Sequence, residues 1–296
     1  MQLYSKSLDG IVVALKANYL IVEINIESRK ERFLCTKRNR LSYEGSSVYV
    51  GDLVLIDHID VKYHTAVITK VMNRNSYLNR PPIANISDVF VVTSLLDPVF
   101  DKNQTIRFLL SAEQTRQRVS VIITKSDLVT RSILEEYLNR FKEWGYETFA
   151  ISVISREGID TLFNKLKLAK LAVLIGPSGV GKSSLLNNLI PNLDIPVGTL
   201  SKKLRKGKHT TRHVELFYLD SGVWIADTPG YNKPDFNFEI YEIDQLFPEL
   251  RSQLQIRNCK FRNCLHIDEP GCVISRDWDR YETYKACLEE SFNLRR

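Results

Sequence analysis

The sequence lacks long apolar runs, and its composition is ordinary. Of its 296 residues, 44% are hydrophobic and 26% are charged, which excludes a disordered chain and a collagen-like fibre. The apolar run at residues 171–175 is far shorter than the ~18 residues that a membrane-crossing helix needs. A strand-like pattern begins by Ile11 and leaves no room for a signal or transit peptide. We therefore expect a cytoplasmic protein that makes no contact with a membrane.

Cysteine is also scarce, with five residues in the whole chain. This number, without a signal peptide, argues against a disulfide framework. Three of the five, Cys259, Cys264 and Cys272, lie close together near the C-terminus, a density that is typical of a metal site. The net charge of +6 permits a polyanionic partner but does not identify one.

Three blocks of different pattern divide the chain, and we expect three domains at residues 1–80, 81–235 and 236–296. The first block has short β-rich runs separated by turns, which favours a small OB-fold barrel that binds RNA. Its expected strands cover residues 11–14, 19–26, 32–36, 48–56 and 66–71. Arg80, Pro81 and Pro82 indicate a linker, because consecutive prolines continue neither a strand nor a helix.

The second block alternates strands and helices, which predicts a mostly parallel sheet covered by helices. We place strands at residues 89–94, 119–124, 148–153, 171–175, 215–219 and 223–226, and helices at 104–116, 131–144, 159–166 and 182–189. The third block is mainly helical around the cysteine cluster, with helices expected at residues 243–254 and 277–294.

A phosphate-binding loop is the strongest signal in the sequence. The GxxxxGK[ST] pattern follows a predicted strand and opens a predicted helix, the context that this loop requires. Lys182 should contact the β- and γ-phosphates, and the Ser183 hydroxyl should bind Mg²⁺. The alternative is a glycine-rich turn that binds nothing. The expected phosphate-binding residues are Gly176, Pro177, Ser178, Gly179, Val180, Gly181, Lys182, Ser183 and Ser184.

A second motif suggests that the base is guanine. Thr124, Lys125, Ser126 and Asp127 follow a β-branched strand and resemble the NKxD element of GTPases. A carboxylate there accepts hydrogen bonds from guanine N1–H and its exocyclic amine, donors that adenine lacks at those positions. Taken alone, this motif is equally compatible with a solvated turn. Ser152 follows the next strand and is a weaker candidate for the base-contacting loop.

Two further elements follow the phosphate-binding loop along the chain. Asp227 and Gly230 belong to Asp-Thr-Pro-Gly, which resembles the DxxG element that approaches Mg²⁺ and the γ-phosphate. Thr210 and Thr211 are both candidates for the switch threonine that binds Mg²⁺, and the sequence does not choose between them. Ordinary GTPases begin with the phosphate-binding loop and end with the base-reading motifs, so the order found here is a circular permutation.

The permuted order, the β-rich N-terminal block and a Cys-x4-Cys-x-His-x5-Cys pattern together resemble one family over essentially the whole chain. This is the ribosome small-subunit-dependent GTPase A family. The resemblance implies an OB-fold, a permuted GTPase domain and a zinc-binding C-terminal domain. It also implies GTP hydrolysis that the small (30S) ribosomal subunit stimulates during its late maturation.

Two positions depart from common GTPase patterns. Thr124 stands where asparagine is usual, and we expect the loss of an amide that ties down the phosphate-binding loop, with weaker guanine affinity. Tyr231 follows Asp-Thr-Pro-Gly, so no glutamine is present there to orient water. The family resemblance suggests His209 as the catalytic residue beside Lys182. A loop histidine that is exposed or packs on rRNA is the alternative.

Cys259, Cys264, His266 and Cys272 supply a Cys₃His set, which predicts one structural Zn²⁺ because four ligands leave no open position for catalysis. Three free thiols and a surface histidine are the alternative. Residues 201–213 are rich in lysine and arginine without an acid, which favours contact with 16S rRNA phosphates over a merely solvated face.

The function that we predict is a monomeric GTPase, acting with Mg²⁺ and GTP or GDP, that docks on the 30S subunit and hydrolyses GTP to be released. Two other classes remain open. One is a P-loop ATPase or small-molecule kinase, which a comparison of nucleotides would identify. The other is a non-catalytic RNA-binding module that uses its nucleotide only structurally, which GTP turnover with and without subunits would decide.

Overall fold

The computed structural model describes residues 3–4, 7–16, 19–26, 29–38, 47–191, 193, 195, 214–219, 222–228, 234 and 238–293. The N-terminal part contains β1 (Leu3–Tyr4), β2 (Leu8–Lys16), β3 (Tyr19–Ile26), β4 (Arg29–Lys37), β5 (Leu53–Asp60) and β6 (Thr65–Val71). The strands β2, β3, β4, β6 and β5 pair in that order, and β5 pairs again with β2. This closes a five-stranded barrel with the OB-fold order, in which β4 and β6 are parallel. Its interior is apolar and includes Val22, Phe33 and Ile56.

The strand expected at residues 48–56 was wrong at its start, since β5 begins only at Leu53. Gly51 adopts a φ of +88°, and a Cβ there would lie 2.2 Å from the Ala84 carbonyl oxygen. The buried Asp52 carboxylate accepts hydrogen bonds from Tyr49 N and from the Arg74 guanidinium. A tight turn that is stabilised by its own aspartate therefore precedes the strand.

The segment expected to be a linker forms a small hairpin. Strands β7 (Tyr77–Leu78) and β8 (Ile83–Ala84) pair in antiparallel, with the two prolines in the turn between them. Leu78 and Ile83 are buried, and Ala84 N donates to Val50 O at 2.9 Å. The hairpin is thus bonded to the segment before β5, and its apolar residues, which join the core cluster of the central sheet, outweigh the strand-breaking prolines.

The central part is a parallel sheet, as the alternating pattern predicted, with one antiparallel strand. Its strands are β9 (Asp88–Ser94), β10 (Arg118–Thr124), β11 (Glu147–Ala150), β12 (Leu171–Ile175), β13 (Glu215–Leu219) and β14 (Val223–Asp227). They lie in the order β13-β14-β12-β9-β10-β11, and only β13 runs antiparallel to its neighbour β14. The strand expected at residues 148–153 ends early, at Ala150.

Helices cover both faces of this sheet. They are α1 (Lys102–Glu113), α2 (Arg131–Glu143), α3 (Ile159–Leu166) and α4 (Lys182–Leu189). One apolar cluster joins α1, α2 and the C-terminal part to one face, and a second cluster joins α3 and α4 to the other. Side-chain oxygens of Asp101 and Thr130 accept hydrogen bonds from backbone amides in the first turns of α1 and α2, which explains where these helices begin.

In the C-terminal part, the single helix expected at residues 243–254 is divided. A 3-10 segment covers Ile240–Leu246, and α5 (Pro248–Ile256) begins anew at Pro248. Proline lacks an amide hydrogen and is tolerated only in the first turn of a helix, which explains the break. The final helix α6 (Tyr281–Asn293) begins four residues later than expected.

The C-terminal part docks on α1, α2 and the chain that follows α2. Arg280 is fully buried, forms an ion pair with Glu249 and lies over the Trp144 ring at 4.8 Å. At the edge of this contact, Arg251 meets Glu113 at 2.9 Å. A buried guanidinium that is paired and enclosed by aromatic rings fixes the relative position of the two parts. None of the described helices combines the length and the apolar character that a bilayer crossing would require.

Candidate nucleotide and metal sites

The phosphate-binding loop lies between β12 and α4, as its motif predicted. Gly176, Gly179 and Gly181 adopt φ angles of +152°, +86° and +93°. A Cβ at Gly176 would lie 2.2 Å from the Val92 carbonyl oxygen. The loop conformation therefore requires glycine, and such conformations let backbone amides converge on an anion.

Lys182 is the first residue of α4, and its side chain is buried under the loop. The ammonium group donates to the carbonyl oxygens of Gly176 and Pro177 at 2.8 and 2.7 Å. Burial lowers the pKa of Lys182 to about 8, although the nearby Asp227 carboxylate acts in the opposite direction. A buried ammonium that bonds only neutral oxygens is ready to exchange them for phosphate oxygens.

Thr124 ends β10 and touches the phosphate-binding loop. Its hydroxyl lies 2.5 Å from the Val180 carbonyl oxygen and 3.0 Å from that of Thr93. We expected the absence of an asparagine amide to leave the loop untied. For the loop tie that expectation was wrong, because the threonine hydroxyl is the donor that connects the base-reading segment to the loop. The weaker guanine affinity stays a prediction.

Lys125 adopts a left-handed backbone conformation, with a φ of +53°. Its ammonium group donates to Gly179 O at 3.2 Å, to Asp97 O at 2.6 Å and to the Asp97 carboxylate at 2.8 Å. Lys125 therefore bridges the phosphate-binding loop and the loop after β9. Asp97 belongs to no motif, so no sequence signal pointed to this contact.

The remaining base-reading residues lie beside one another. Ser126 N donates to Ile151 O at 3.1 Å, which joins the 3-10 turn at Ser126–Leu128 to the chain after β11. Asp127 lies in this turn with an exposed side chain. Ser152 is fully buried, and its hydroxyl accepts a hydrogen bond from Ser155 N. Ser152 therefore stabilises the chain after β11, which is bonded to the turn that carries Asp127.

Asp227 ends β14, beside the strand that carries the phosphate-binding loop. Its Oδ1 is buried and has no hydrogen-bond partner among the described residues. Burial raises the pKa of Asp227, the Lys182 ammonium opposes this shift, and the Glu215 carboxylate adds to it. A buried carboxylate oxygen without a donor fits a site for a divalent cation.

Several expected site residues lie outside the described part of the chain. These are His209, Thr210, Thr211 and Gly230. Ser183 and Ser184 lie in the first turn of α4, and both are half-buried. Of the expected magnesium ligands, Ser183 and Asp227 are therefore the two that the structure places.

The four expected zinc ligands converge. One ligand atom from each of Cys259, Cys264, His266 and Cys272 lies within 4.8 Å of the others. His266 Nδ1 is 3.5 Å from the sulfurs of Cys259 and Cys272, which are 3.9 Å apart. A tetrahedral zinc with bonds of about 2.3 Å to sulfur and about 2.0 Å to nitrogen has S···N and S···S edges of about 3.5 and about 3.8 Å. The cluster is therefore compatible with a structural zinc.

Comparison with known proteins agrees with this geometry. A family model described as RsgA GTPase matches residues 71–237. A protein of Prochlorococcus marinus named small ribosomal subunit biogenesis GTPase RsgA is 53% identical, with 99% of each chain covered. The chain belongs to the RsgA GTPase family. A Synechococcus protein of the same name is 48% identical over 97% of this chain and 95% of its own.

Solved structures extend the likeness from the sequence to the fold. The crystal structure of YjeQ from Thermotoga maritima matches with a TM-score of 0.80 and 28% identity, covering 97% of this chain and 99% of that one. The structure of YloQ, described as a circularly permuted GTPase, matches with a TM-score of 0.76 and 26% identity over 98% and 96% of the two chains. The predicted fold and the permuted motif order are thus confirmed, and the chain is a GTPase.

Three residues near the candidate nucleotide site belong to no sequence motif. Asp97 holds Lys125, and Glu215 lies beside Asp227 across two paired strands. Arg32, from the barrel, approaches the Glu215 carboxylate at 3.4 Å. Arg32 and Glu215 are separated by 183 residues along the chain, so only the three-dimensional structure brings them together.

Proposed function

We propose that this chain binds GTP with Mg²⁺, docks on the small ribosomal subunit in its late maturation, and hydrolyses GTP in order to be released. The observation that carries the nucleotide part is the convergence of four segments at one edge of the sheet. The phosphate-binding loop, the turn after β10, the chain after β11 and the end of β14 all lie there. The names of the relatives from Prochlorococcus and Synechococcus support the ribosomal part.

We assign the guanine base to the part of the site that is formed by residues 124–127 and 152–155. The exposed Asp127 carboxylate is free to accept from guanine N1–H and the exocyclic amine, a pattern that selects guanine over adenine. The Lys125 stem covers one face of the base, since its ammonium group is held at Gly179 and Asp97. The phosphates lie over the backbone amides of residues 176–184.

Hydrolysis is an in-line attack of water on the γ-phosphorus, which breaks the bond to the oxygen that bridges the β- and γ-phosphates and yields GDP and phosphate. The Lys182 ammonium leaves its two loop carbonyls and stabilises the negative charge on the β- and γ-oxygens. Ser183, Asp227 and one of Thr210 or Thr211 would hold Mg²⁺, which would supply positive charge beside the phosphates. His209 orients the attacking water.

We assign Zn²⁺ to the Cys₃His cluster as a structural ion. Two tyrosines of α6 connect that helix to the loop that carries the ligands. The hydroxyl of Tyr284 donates to Leu265 O, and that of Tyr281 donates to His266 O. His266 Nε2 faces the Asp244 carboxylate at 3.7 Å, which orients the ring so that Nδ1 points to the sulfurs.

The partner that we assign to the basic surfaces is the RNA of the small ribosomal subunit. The barrel and the basic residues 201–213 contact 16S rRNA, and the protein acts as a monomer in the cytoplasm. Phosphate contacts of this kind predict that subunit binding weakens as the salt concentration rises.

The test is GTP turnover by the purified protein with and without small ribosomal subunits. We expect a slow basal rate that saturating subunits raise strongly, and no comparable turnover of ATP. His209→Ala should bind GTP normally but lose the stimulated rate at saturating subunits, whereas Lys142→Ala, which removes an exposed cation of α2, should retain it. Equal turnover of ATP would indicate an ATPase, and an absence of turnover with subunits present would indicate a non-catalytic RNA-binding module.

A further inference from the structure

A continuous row of backbone pairs links the barrel to the end of β14. Ala14 of the barrel strand β2 pairs with Glu215 of β13 in antiparallel. On the other side of the same strand, Glu215 pairs with Asp227 of β14. The first residue of β13 therefore lies directly between the barrel and the carboxylate to which we assign Mg²⁺.

Side chains reinforce this row on the barrel side. Arg32 Nη1 lies 3.4 Å from the Glu215 carboxylate, and Arg32 Nε lies 3.2 Å from that of Glu23, which is nearly buried. Lys30 also approaches Glu23, at 3.6 Å, and its ammonium group lies over the Tyr218 ring of β13. Two barrel cations thus contact β13 at positions three residues apart.

The Glu215 carboxylate lies between two neighbours of opposite charge, Arg32 and Asp227. Asp227 repels it across the paired strands, because directly paired residues of antiparallel strands carry their side chains on the same face. Arg32 attracts it from the barrel. Without Arg32, Glu215 is free to turn into solvent or toward a cation bound at Asp227, so the position of this side chain depends on a residue of another domain.

We propose that Arg32 and Glu215 act as a pair of positioning residues for the magnesium site, because together they fix the start of β13 against β14 and so the orientation of Asp227. The proposal rests on the proposed role of Asp227 as a ligand of the nucleotide-bound cation. Neither residue touches the nucleotide. The barrel is thereby a structural part of the GTPase site as well as an RNA-binding module.

Positioning and a simple field effect predict opposite results. If Arg32 acts only through its charge, its removal strengthens Mg²⁺ binding, removal of Glu215 weakens it, and the two effects add. If the pair positions Asp227, each removal weakens Mg²⁺ binding, and the double variant is little worse than either single one, because coupled neighbours are not additive.

The experiment measures the Mg²⁺ concentration at which a fluorescent, non-hydrolysable GTP analogue is half-retained by the full chain. We expect Arg32→Ala and Glu215→Ala each to raise this midpoint by about three- to tenfold, with little further change in the double variant. Glu215→Gln, which keeps an oxygen acceptor for Arg32 but removes the charge, should stay close to the natural midpoint, whereas a pure field effect would shift it as far as Glu215→Ala does. Lys37→Ala, which removes an exposed cation at the end of the same strand β4, should leave it unchanged. Thermal melting of each variant reports any loss of folding.

The outcomes separate this inference from the function on which it rests. If Asp227→Ala raises the midpoint strongly while Arg32→Ala and Glu215→Ala leave it unaltered, the positioning role is wrong and the magnesium site stands. Opposite and additive shifts in the two single variants would also overturn it, in favour of a field effect. If Asp227→Ala itself has no effect, the assignment of the magnesium ligand fails first.

Discussion

Nucleotide affinity should depend on pH through Lys182. In the structure its ammonium group bonds only to neutral carbonyl oxygens, and burial lowers its pKa to about 8 from the value of 10.5 for a free lysine. A bound polyphosphate surrounds the same nitrogen with negative oxygens, which raises the pKa again. Binding therefore takes up a proton whenever Lys182 is neutral in the free protein, and affinity must fall as the pH rises through about 8.

The size of the effect follows from the two protonation states. With a pKa of about 8, about nine tenths of the free protein carries the charge at pH 7 and about one tenth at pH 9. The dissociation constant should therefore rise about tenfold between these pH values. Folding has the opposite sign: the unfolded lysine stays protonated up to 10.5, so the free energy of unfolding of the nucleotide-free protein rises with pH between about 8 and 10.5.

The assay is a titration with a fluorescent GDP analogue at pH 7, 8 and 9, at constant ionic strength and excess Mg²⁺. Lys182→Arg is the matched control, because a guanidinium stays charged throughout this range. The affinity of Lys182→Arg for the analogue can differ from that of the natural protein, but it should not change between pH 7 and 9. A flat profile for the natural protein, or the same slope in Lys182→Arg, would refute the reasoning, since another group would then carry the titration.

Three further predictions concern the base, the loop tie and the metal cluster. Asp127→Asn should lose GTP affinity and gain affinity for xanthosine triphosphate, whose 2-carbonyl accepts from the new amide, in a competition assay; unchanged preference would remove Asp127 from base recognition. Thr124→Val should weaken GDP binding and lower the free energy of unfolding by about 1–3 kcal/mol because Val180 O loses its donor, whereas Thr124→Ser should retain both. Removal of zinc by a strong chelator should lower the melting temperature and deprotect the amides of residues 258–274 in hydrogen exchange, and unaltered protection would contradict a structural metal.

Local signals predicted the centre of the molecule well. The strand β12, the glycine-rich loop and the helix α4 begin and end where the sequence placed them, because a buried apolar run, three glycines and a helix follow one another within twenty residues. The zinc ligands were equally predictable, since cysteine and histidine at this spacing have few other uses. The three domain boundaries stay predictions.

Long-range packing explains where the sequence misled. The hairpin of β7 and β8 forms around two prolines because Leu78 and Ile83 are buried in the core cluster of the central sheet, and no local rule contains that contact. Thr124 connects to the phosphate-binding loop because the fold brings the Val180 carbonyl within reach of its hydroxyl, and a local pattern does not contain that position. Sequence patterns report residue types at a spacing, whereas these features depend on residues brought together from distant parts of the chain.

Because of the permutation, the barrel and the C-terminal part are connected to the two strands that flank the strand of the phosphate-binding loop. The chain enters the sheet at β9 and leaves it at β14, and these two strands flank β12, which carries the phosphate-binding loop. In the unpermuted order, the chain enters through the strand of the phosphate-binding loop itself, and neither neighbour is connected to another domain. Here the barrel and hairpin precede one neighbour, and the C-terminal part follows Asp227 on the other. The pairing of Ala14 with Glu215 adds a third connection, on the far side of β14. Because Asp227 pairs with Glu215 and Glu215 pairs with Ala14, a shift of Asp227 toward a bound cation acts on the barrel through backbone pairs, whereas the C-terminal part follows Asp227 along the chain.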